Sequence, residues 1–184
     1  MDCWNLKYII FIFLFLVSCS DNNVIQDAKS IPFINHQSRK FYFSEMENKN
    51  FILYFGFSHC VDKCPLALST ISKALNEVGD KTIYGIFLSI DPLRDDPKKI
   101  NGFIKLHPAV NLIGLTGNLQ DTVKVAQIFG IQSKKVDLKD ENYSLDHTNQ
   151  ILLIDKKFRI IARFPGNISS DSLKKELISV FKGK

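Results

Sequence analysis

The sequence predicts an α/β domain whose sheet combines parallel and antiparallel strands. Apolar runs typical of strands alternate with segments of helical spacing along residues 51–129, as in parallel strands joined by crossover helices. Two further apolar runs flank Asp155-Lys156-Lys157, which indicates a hairpin, and a last helical pattern reaches Phe181. With 45% hydrophobic and 23% charged residues, the chain has the composition of one globular domain.

The first half of the domain opens with a short edge hairpin, predicted at residues 31–35 and 39–43. Residues 51–57 (FILYFGF) are apolar without interruption, which is typical of a central strand buried on both faces. A helix begins just before Pro65, because proline is tolerated only in the first turn, and Gly79 ends the helical spacing that follows.

The second half continues the alternation of strands and helices. Further strands are predicted at residues 82–90, 110–115, 151–154 and 158–164. Asp96 and Pro97 suit the N-cap and first position of a helix to about residue 107, and further helices are predicted at residues 119–129 and 169–181. The polar residues 132–149 are predicted as a long loop. This order describes a thioredoxin-like fold with an N-terminal β-hairpin and a long late loop.

The N-terminus has the pattern of an export signal. Residues 8–17 are apolar without interruption, but ten residues are too few for a bilayer core, which needs about 20. The LVSC sequence at residues 16–19 resembles the lipobox of bacterial lipoproteins. We therefore expect a lipoprotein-type signal peptide at residues 1–18, a lipid on Cys19, a tether at residues 19–30 and the thioredoxin-like domain at residues 31–184. The alternative is an uncleaved anchor or an ordinary secretory signal.

This pattern predicts a location in the bacterial cell envelope, on the periplasmic side of the inner membrane, with the lipid as the membrane anchor. The formal net charge is +5, and the lysine pairs are scattered without interleaved aromatic residues. Such a distribution is typical of a solvated surface, so no nucleic-acid partner is expected.

Two thiols remain in the exported domain if Cys3 leaves with the signal and Cys19 carries a lipid. These are Cys60 and Cys64, which lie at the first strand-to-helix junction, at the carboxyl edge of the sheet. Both sulfurs are expected near a helix N-terminus, whose partial positive charge lowers a thiol pKa. Three residues separate the two cysteines, which allows either a disulfide or the binding of a soft metal ion.

The chemistry of the available ligands favours copper. A structural zinc site normally needs four protein ligands, whereas this domain offers two cysteines and a few histidines. Two sulfurs and one imidazole suit copper, above all Cu(I), which accepts three ligands, with Cu(II) as the alternative oxidation state. The simpler interpretation of the pair is a structural disulfide.

Three segments resemble the Sco/SenC family: FGFSHCVDKCP at residues 55–65, LSIDPLRDDP at residues 88–97, and YSLDHT at residues 143–148. This resemblance implies copper held by Cys60, Cys64 and His147 and its delivery to the dinuclear copper centre of cytochrome c oxidase. It implies the copper-bearing oxidase subunit as partner, with other copper chaperones or thiol–disulfide partners. The chain departs from the family at Val61, where many members have proline.

Several alternatives stay open from the sequence. The cysteine pair predicts either a copper metallochaperone or a thiol–disulfide oxidoreductase that reduces the oxidase cysteines, so whether the protein is an enzyme is undecided. A peroxidase is disfavoured, since Phe57 stands where such sites place Thr or Ser.

Several polar residues near the predicted site have alternative interpretations. Asp91, Arg94 and Asp95 are predicted as a docking surface, as a support for the site or as a simple turn. His59 is predicted to be a structural neighbour of Cys60. Asp62 or Asp146 is predicted either to orient His147 or to have only a local role.

Overall fold

The computed structural model describes residues 25–138 and 142–181. Within these residues, the strands of the main sheet are β1 Pro32–Asn35, β2 Lys40–Tyr42, β3 Asn50–Gly56, β4 Ile83–Ser89, β5 Leu112–Thr116, β8 Gln150–Ile154 and β9 Ile160–Pro165. These seven strands lie in the order β2-β1-β5-β4-β3-β8-β9. Strands β3, β4 and β5 are parallel, whereas β8 and β9 continue the sheet in antiparallel orientation. The sequence therefore predicted the mixed sheet correctly.

Four α-helices lie wholly within residues 25–138 and 142–181, namely α1 Lys63–Val78, α2 Pro97–Lys105, α3 Leu119–Ile128 and α4 Ser170–Phe181, and two short 3-10 helices occupy Ala28–Ser30 and Phe43–Met46. The expected helix ends are confirmed. Gly79 ends α1 with a left-handed φ of 64°, and the Asp96 side chain accepts the Lys99 amide as N-cap of α2.

Helices cover both faces of the sheet. On one face α4 packs against α1, and α2 packs against β5. On the other face an aromatic cluster surrounds the fully buried Phe43. Its ring lies 5.7–6.4 Å from five other phenylalanine rings, those of Phe33, Phe41, Phe51, Phe129 and Phe158. Burial on both faces explains why β3 has a continuous apolar sequence.

The expectation of a long loop at residues 132–149 was wrong. Strands β6 (Ser133–Asp137) and β7 (Tyr143–His147) form an antiparallel hairpin, with Ser133 opposite His147. Every residue of β6 is exposed, so its polar sequence lacks the apolar alternation of a half-buried strand. His147 thus lies at the end of a strand that is paired along its length.

The N-terminal side of the domain begins before residue 31. Ile25 is 7% exposed and Ala28 is fully buried, so part of the segment that we assign to a tether packs on the domain. Lys29 binds Glu47 at 2.8 Å. The predicted signal peptide and Cys19 lie outside the described residues. Among the residues that are described, no helix is both long enough and apolar enough to cross a membrane.

Candidate metal centre

The two cysteines lie where the chain passes from β3 into α1. Cys60 is in the connecting turn and is partly exposed, while Cys64 lies in the first turn of α1 and is fully buried. The Cys64 amide points at the Cys60 sulfur, with N and Sγ 3.4 Å apart. The Cys60 sulfur therefore occupies the N-terminus of α1, as the position of Pro65 predicts. Neither cysteine is in a disulfide.

The Cys64 sulfur fits into space left by a glycine. A Cβ atom at Gly56 would lie 2.9 Å from Cys64 Sγ and 3.0 Å from the ring of Tyr54. Burial raises the pKa of the Cys64 thiol to about 12, opposed by a hydrogen bond from the backbone of Phe57. The direction of this shift is opposite to the lowering expected at a helix N-terminus, because burial of the sulfur disfavours the charged thiolate.

His147 faces the cysteine pair. Its Nε2 atom lies 3.7 Å from Cys64 Sγ, and its Nδ1 atom lies 3.0 Å from the carbonyl oxygen of Thr148. A carbonyl only accepts hydrogen bonds, so Nδ1 carries the proton in a neutral ring and the Nε2 lone pair is directed towards the sulfur. Burial lowers the pKa of His147, which favours that neutral ring. The rings of Phe57 and Tyr54 pack against it at 6.0 and 6.5 Å.

The separation of these two atoms suits a shared metal ion. Bonds of about 2.3 Å to sulfur and 2.1 Å to nitrogen, opened to roughly 120°, place the two ligand atoms about 3.8 Å apart. The observed separation of Cys64 Sγ and His147 Nε2 is 3.7 Å. Within the described residues, no three His, Cys, Asp or Glu side chains already form a closed metal-binding group. A three-ligand site made of Cys60, Cys64 and His147 would therefore require side-chain adjustment on binding an ion.

A groove of about 440 Å³ opens beside this pair and separates the cysteine turn from the β6–β7 hairpin. Cys60 and His147 line it, together with the 96% exposed side chain of Val61. Cys64 lies beneath the groove in the core. An ion bound here would be reached from solvent on the side of Cys60 and His147.

The other predicted neighbours have different roles. The Asp95 carboxylate is fully buried and accepts the Ser58 amide at 2.9 Å, two residues before Cys60. His59 is exposed, and its Nδ1 atom lies 3.6 Å from Asp95. Asp62 and Asp146 are exposed, and the hydrogen bond at His147 Nδ1 goes to a carbonyl rather than to either of them. Asp95 therefore supports the site, as one of the open alternatives expects.

Two supporting residues had no signal in the sequence. The Tyr54 hydroxyl donates to the Asn149 side chain at 3.0 Å. Burial, with the nearby Cys64 sulfur, raises the pKa of Tyr54. Tyr54 and Asn149 are 95 positions apart in the chain, and the pairing of β3 with β8 brings them together.

Comparison with known proteins decides the family. A model described as SCO1/SenC matches residues 26–182. The chain belongs to the SCO1/SenC family. Among its SCO1/SenC relatives, a SCO2-like protein of Rickettsia prowazekii is 32% identical and is matched over 88% of this chain and 80% of its own length.

Two plant relatives from Arabidopsis thaliana show how much of the relatives' length the chain spans and which fold it shares with them. The mitochondrial Protein SCO1 homolog 1 of Arabidopsis thaliana is 32% identical over 66% of this chain, which corresponds to 37% of the plant protein. The chain therefore spans little more than a third of that relative. The crystal structure of Arabidopsis thaliana ScoI with copper bound superposes with a TM-score of 0.77 at 25% identity, covering 84% of this chain and 97% of that one. This similarity confirms the thioredoxin-like fold predicted from the order of elements.

Proposed function

We propose that the domain binds copper through Cys60, Cys64 and His147 and delivers it to the copper site of cytochrome c oxidase during assembly. The observation that supports this most directly is the 3.7 Å approach of the His147 Nε2 atom to the Cys64 sulfur. The hydrogen bond from Nδ1 to Thr148 fixes the ring so that Nε2 has a free lone pair. Two thiolates and one imidazole form a soft, three-coordinate set that suits Cu(I).

The open groove fits a carrier better than a permanent metal site. Cys60 and His147 line the groove, so ligands from a partner can reach the ion one at a time. A resident structural ion is normally enclosed by four protein ligands. Membership of the family, and the copper bound to the plant relative, support copper as the cargo. The oxidase subunit as acceptor and a lipid anchor at Cys19 on the periplasmic face belong to the same proposal.

Copper titration of the reduced domain tests the ligand set. Loss of a residue that only hydrogen-bonds a metal ligand weakens metal binding by roughly 10- to 100-fold. We expect His147→Ala to weaken Cu(I) binding by more than this, because it removes a ligand. Cys60→Ala and Cys64→Ala are expected to weaken it further. His59→Ala is the matched control, because His59 lies beside Cys60 but its ring faces Ser58 and Asp95. Equal affinities for the parent and His147→Ala would contradict the three-ligand site.

The second candidate is a thiol–disulfide oxidoreductase acting on the oxidase cysteines. One observation favours it: Cys60 is partly exposed whereas Cys64 is buried behind it, which is the arrangement of an attacking and a resolving thiol. This activity needs both cysteines but no imidazole ligand. If thiol–disulfide exchange is the main role, we expect His147→Ala to preserve exchange with a dithiol peptide. A reduction potential of the Cys60–Cys64 pair above that of the peptide would argue against this role.

A further inference from the structure

We propose that residues Asp91, Arg94 and Asp95, here called the 91–95 turn, position both ligand-bearing segments of the metal site. One turn thereby fixes the position of the cysteine segment (residues 58–64) relative to the histidine hairpin (strands β6 and β7). The inference rests on the proposed function of Cys60, Cys64 and His147 as ligands. It assigns a role to residues that lie outside the ligand set itself.

The histidine hairpin is held through Tyr143, the first residue of β7. The Tyr143 hydroxyl donates to Asp91 Oδ1 at 2.7 Å, and Arg94 donates to the Tyr143 carbonyl at 2.8 Å. The Arg94 guanidinium also lies 3.5 Å from the centre of the Tyr143 ring, a close cation–π contact. Asp91 is 3% exposed and binds Arg94 Nε at 2.5 Å, so the charges on both sides of Tyr143 are paired.

The cysteine segment is held by the other end of the same turn. The Asp95 carboxylate is fully buried and accepts the Ser58 amide and hydroxyl, together with the Ser89 hydroxyl at 2.6 Å. Ser58 precedes Cys60 by two residues and follows the end of β3. A buried carboxylate with this number of donors fixes the chain that leads into the cysteine turn.

The 91–95 turn is itself held by hydrogen bonds to the main sheet. The Asp95 amide donates to the Asp91 carbonyl at 2.9 Å, and the Thr116 hydroxyl donates to the Asp95 carbonyl at 2.6 Å. The Asp91 amide donates to Ser89 Oγ at 3.0 Å. The turn is therefore attached to β4 and β5, the parallel strands at the centre of the sheet.

The hairpin depends on this attachment for its orientation. Strands β6 and β7 pair with each other and, within the described part of the chain, with no strand of the main sheet. At their base the Thr148 amide donates to the Gln132 carbonyl at 2.9 Å. Tyr143 lies at the opposite end of β7 from His147, about 13 Å away at 3.3 Å per residue. Contacts at both ends of β7 therefore determine where the imidazole lies.

Tyr143→Phe is the sharpest test, because it removes the hydroxyl and keeps the ring that stacks on Arg94. In the metal-free protein we expect amide hydrogen exchange within β6 and β7 to become about 10-fold faster, since a hydrogen bond to a charged group is lost. Exchange in β3 and β4 is expected to stay unchanged. Tyr84→Phe is the matched control, as Tyr84 lies at the start of β4, far from the turn.

Two readouts separate positioning from general stability. The nuclear Overhauser contact between the His147 and Phe57 rings, now 6.0 Å apart, is expected to weaken in Tyr143→Phe. Copper release to a chelator is expected to accelerate in the same variant and not in Tyr84→Phe. Asp91→Asn, which keeps the side-chain shape, is expected to reproduce both effects.

The outcomes distinguish this inference from the proposed function. Unchanged exchange in the hairpin, or equal acceleration in β3, would overturn the positioning role. Copper release at the parental rate despite a loosened hairpin would also overturn it. If the parent binds no copper at all, the proposed function fails, and the two metal-free measurements decide: faster exchange in the hairpin together with a weaker contact between His147 and Phe57 in Tyr143→Phe supports the positioning role, and parental behaviour of either one overturns it.

Discussion

Gly56→Ala tests whether the core beneath the proposed metal site has room for a single methyl group. A Cβ atom there would lie 2.9 Å from Cys64 Sγ, 2.9 Å from the Phe87 ring and 3.0 Å from the Tyr54 ring. All three side chains are fully buried, so none can turn into solvent. Overpacking a filled core costs about 1–3 kcal/mol, and three simultaneous contacts place this change near the middle of that range. For a domain of this size, about 2 kcal/mol lowers Tm by roughly 4–8 °C.

Urea unfolding followed by circular dichroism measures this cost, and Gly102→Ala is the control. Gly102 lies within α2, and a Cβ atom there would meet nothing within 4 Å. Alanine in a helix is more stable than glycine by about 0.5–1 kcal/mol, so the control should gain stability. The same substitution type is thus expected to have opposite signs at the two positions. A Gly56→Ala domain that unfolds at the parental urea concentration would refute the packing described around Cys64.

Two further predictions concern the rest of the domain. Phe43→Ala removes the ring at the centre of the aromatic cluster and should lower the free energy of unfolding in urea by about 3–5 kcal/mol. Truncation of the exposed Leu106 to alanine should change stability little. Similar losses for both variants would contradict the packing described for the aromatic cluster. Burial lowers the pKa of His36, whose Nδ1 accepts the Gly114 amide, so the folded state binds fewer protons than the unfolded chain. The contribution of His36 to stability should therefore be complete above about pH 6.5 and fall as the pH drops below it. His36→Asn should flatten this fall, and an unchanged pH dependence would contradict the role given to His36.

The sequence predicted most of the main sheet, because its signals are local. Burial on both faces leaves β3 with an uninterrupted apolar run, and the cap at Asp96 is a short-range hydrogen bond. The helix ends at Gly79 and Gly130 follow from positive φ values of 64° and 71°, which glycine adopts without strain. Each of these features depends on a few neighbouring residues.

The hairpin and the supports of the site depend on contacts between distant residues. Strand β6 has no buried face, so its alternation cannot be recognised from hydrophobicity. Asp95 meets Ser58 across 37 positions of the chain, and Tyr143 meets Asp91 across 52. The direction of the Cys64 pKa shift likewise depended on how deeply α1 buries its first turn. Such pairings follow from the assembled fold rather than from a local pattern.

The different depths of the two sulfurs would give the proposed metal transfer a fixed order. For an ion held as proposed, an acceptor's ligands can approach only from the groove, where Cys60 and His147 are accessible, and Cys64 is shielded from them by the core. Cys60 and His147 would be exchanged first, and the bond to Cys64 would break last. An acceptor would then have to be fully docked before the ion is free, so copper would not be released into solvent during transfer.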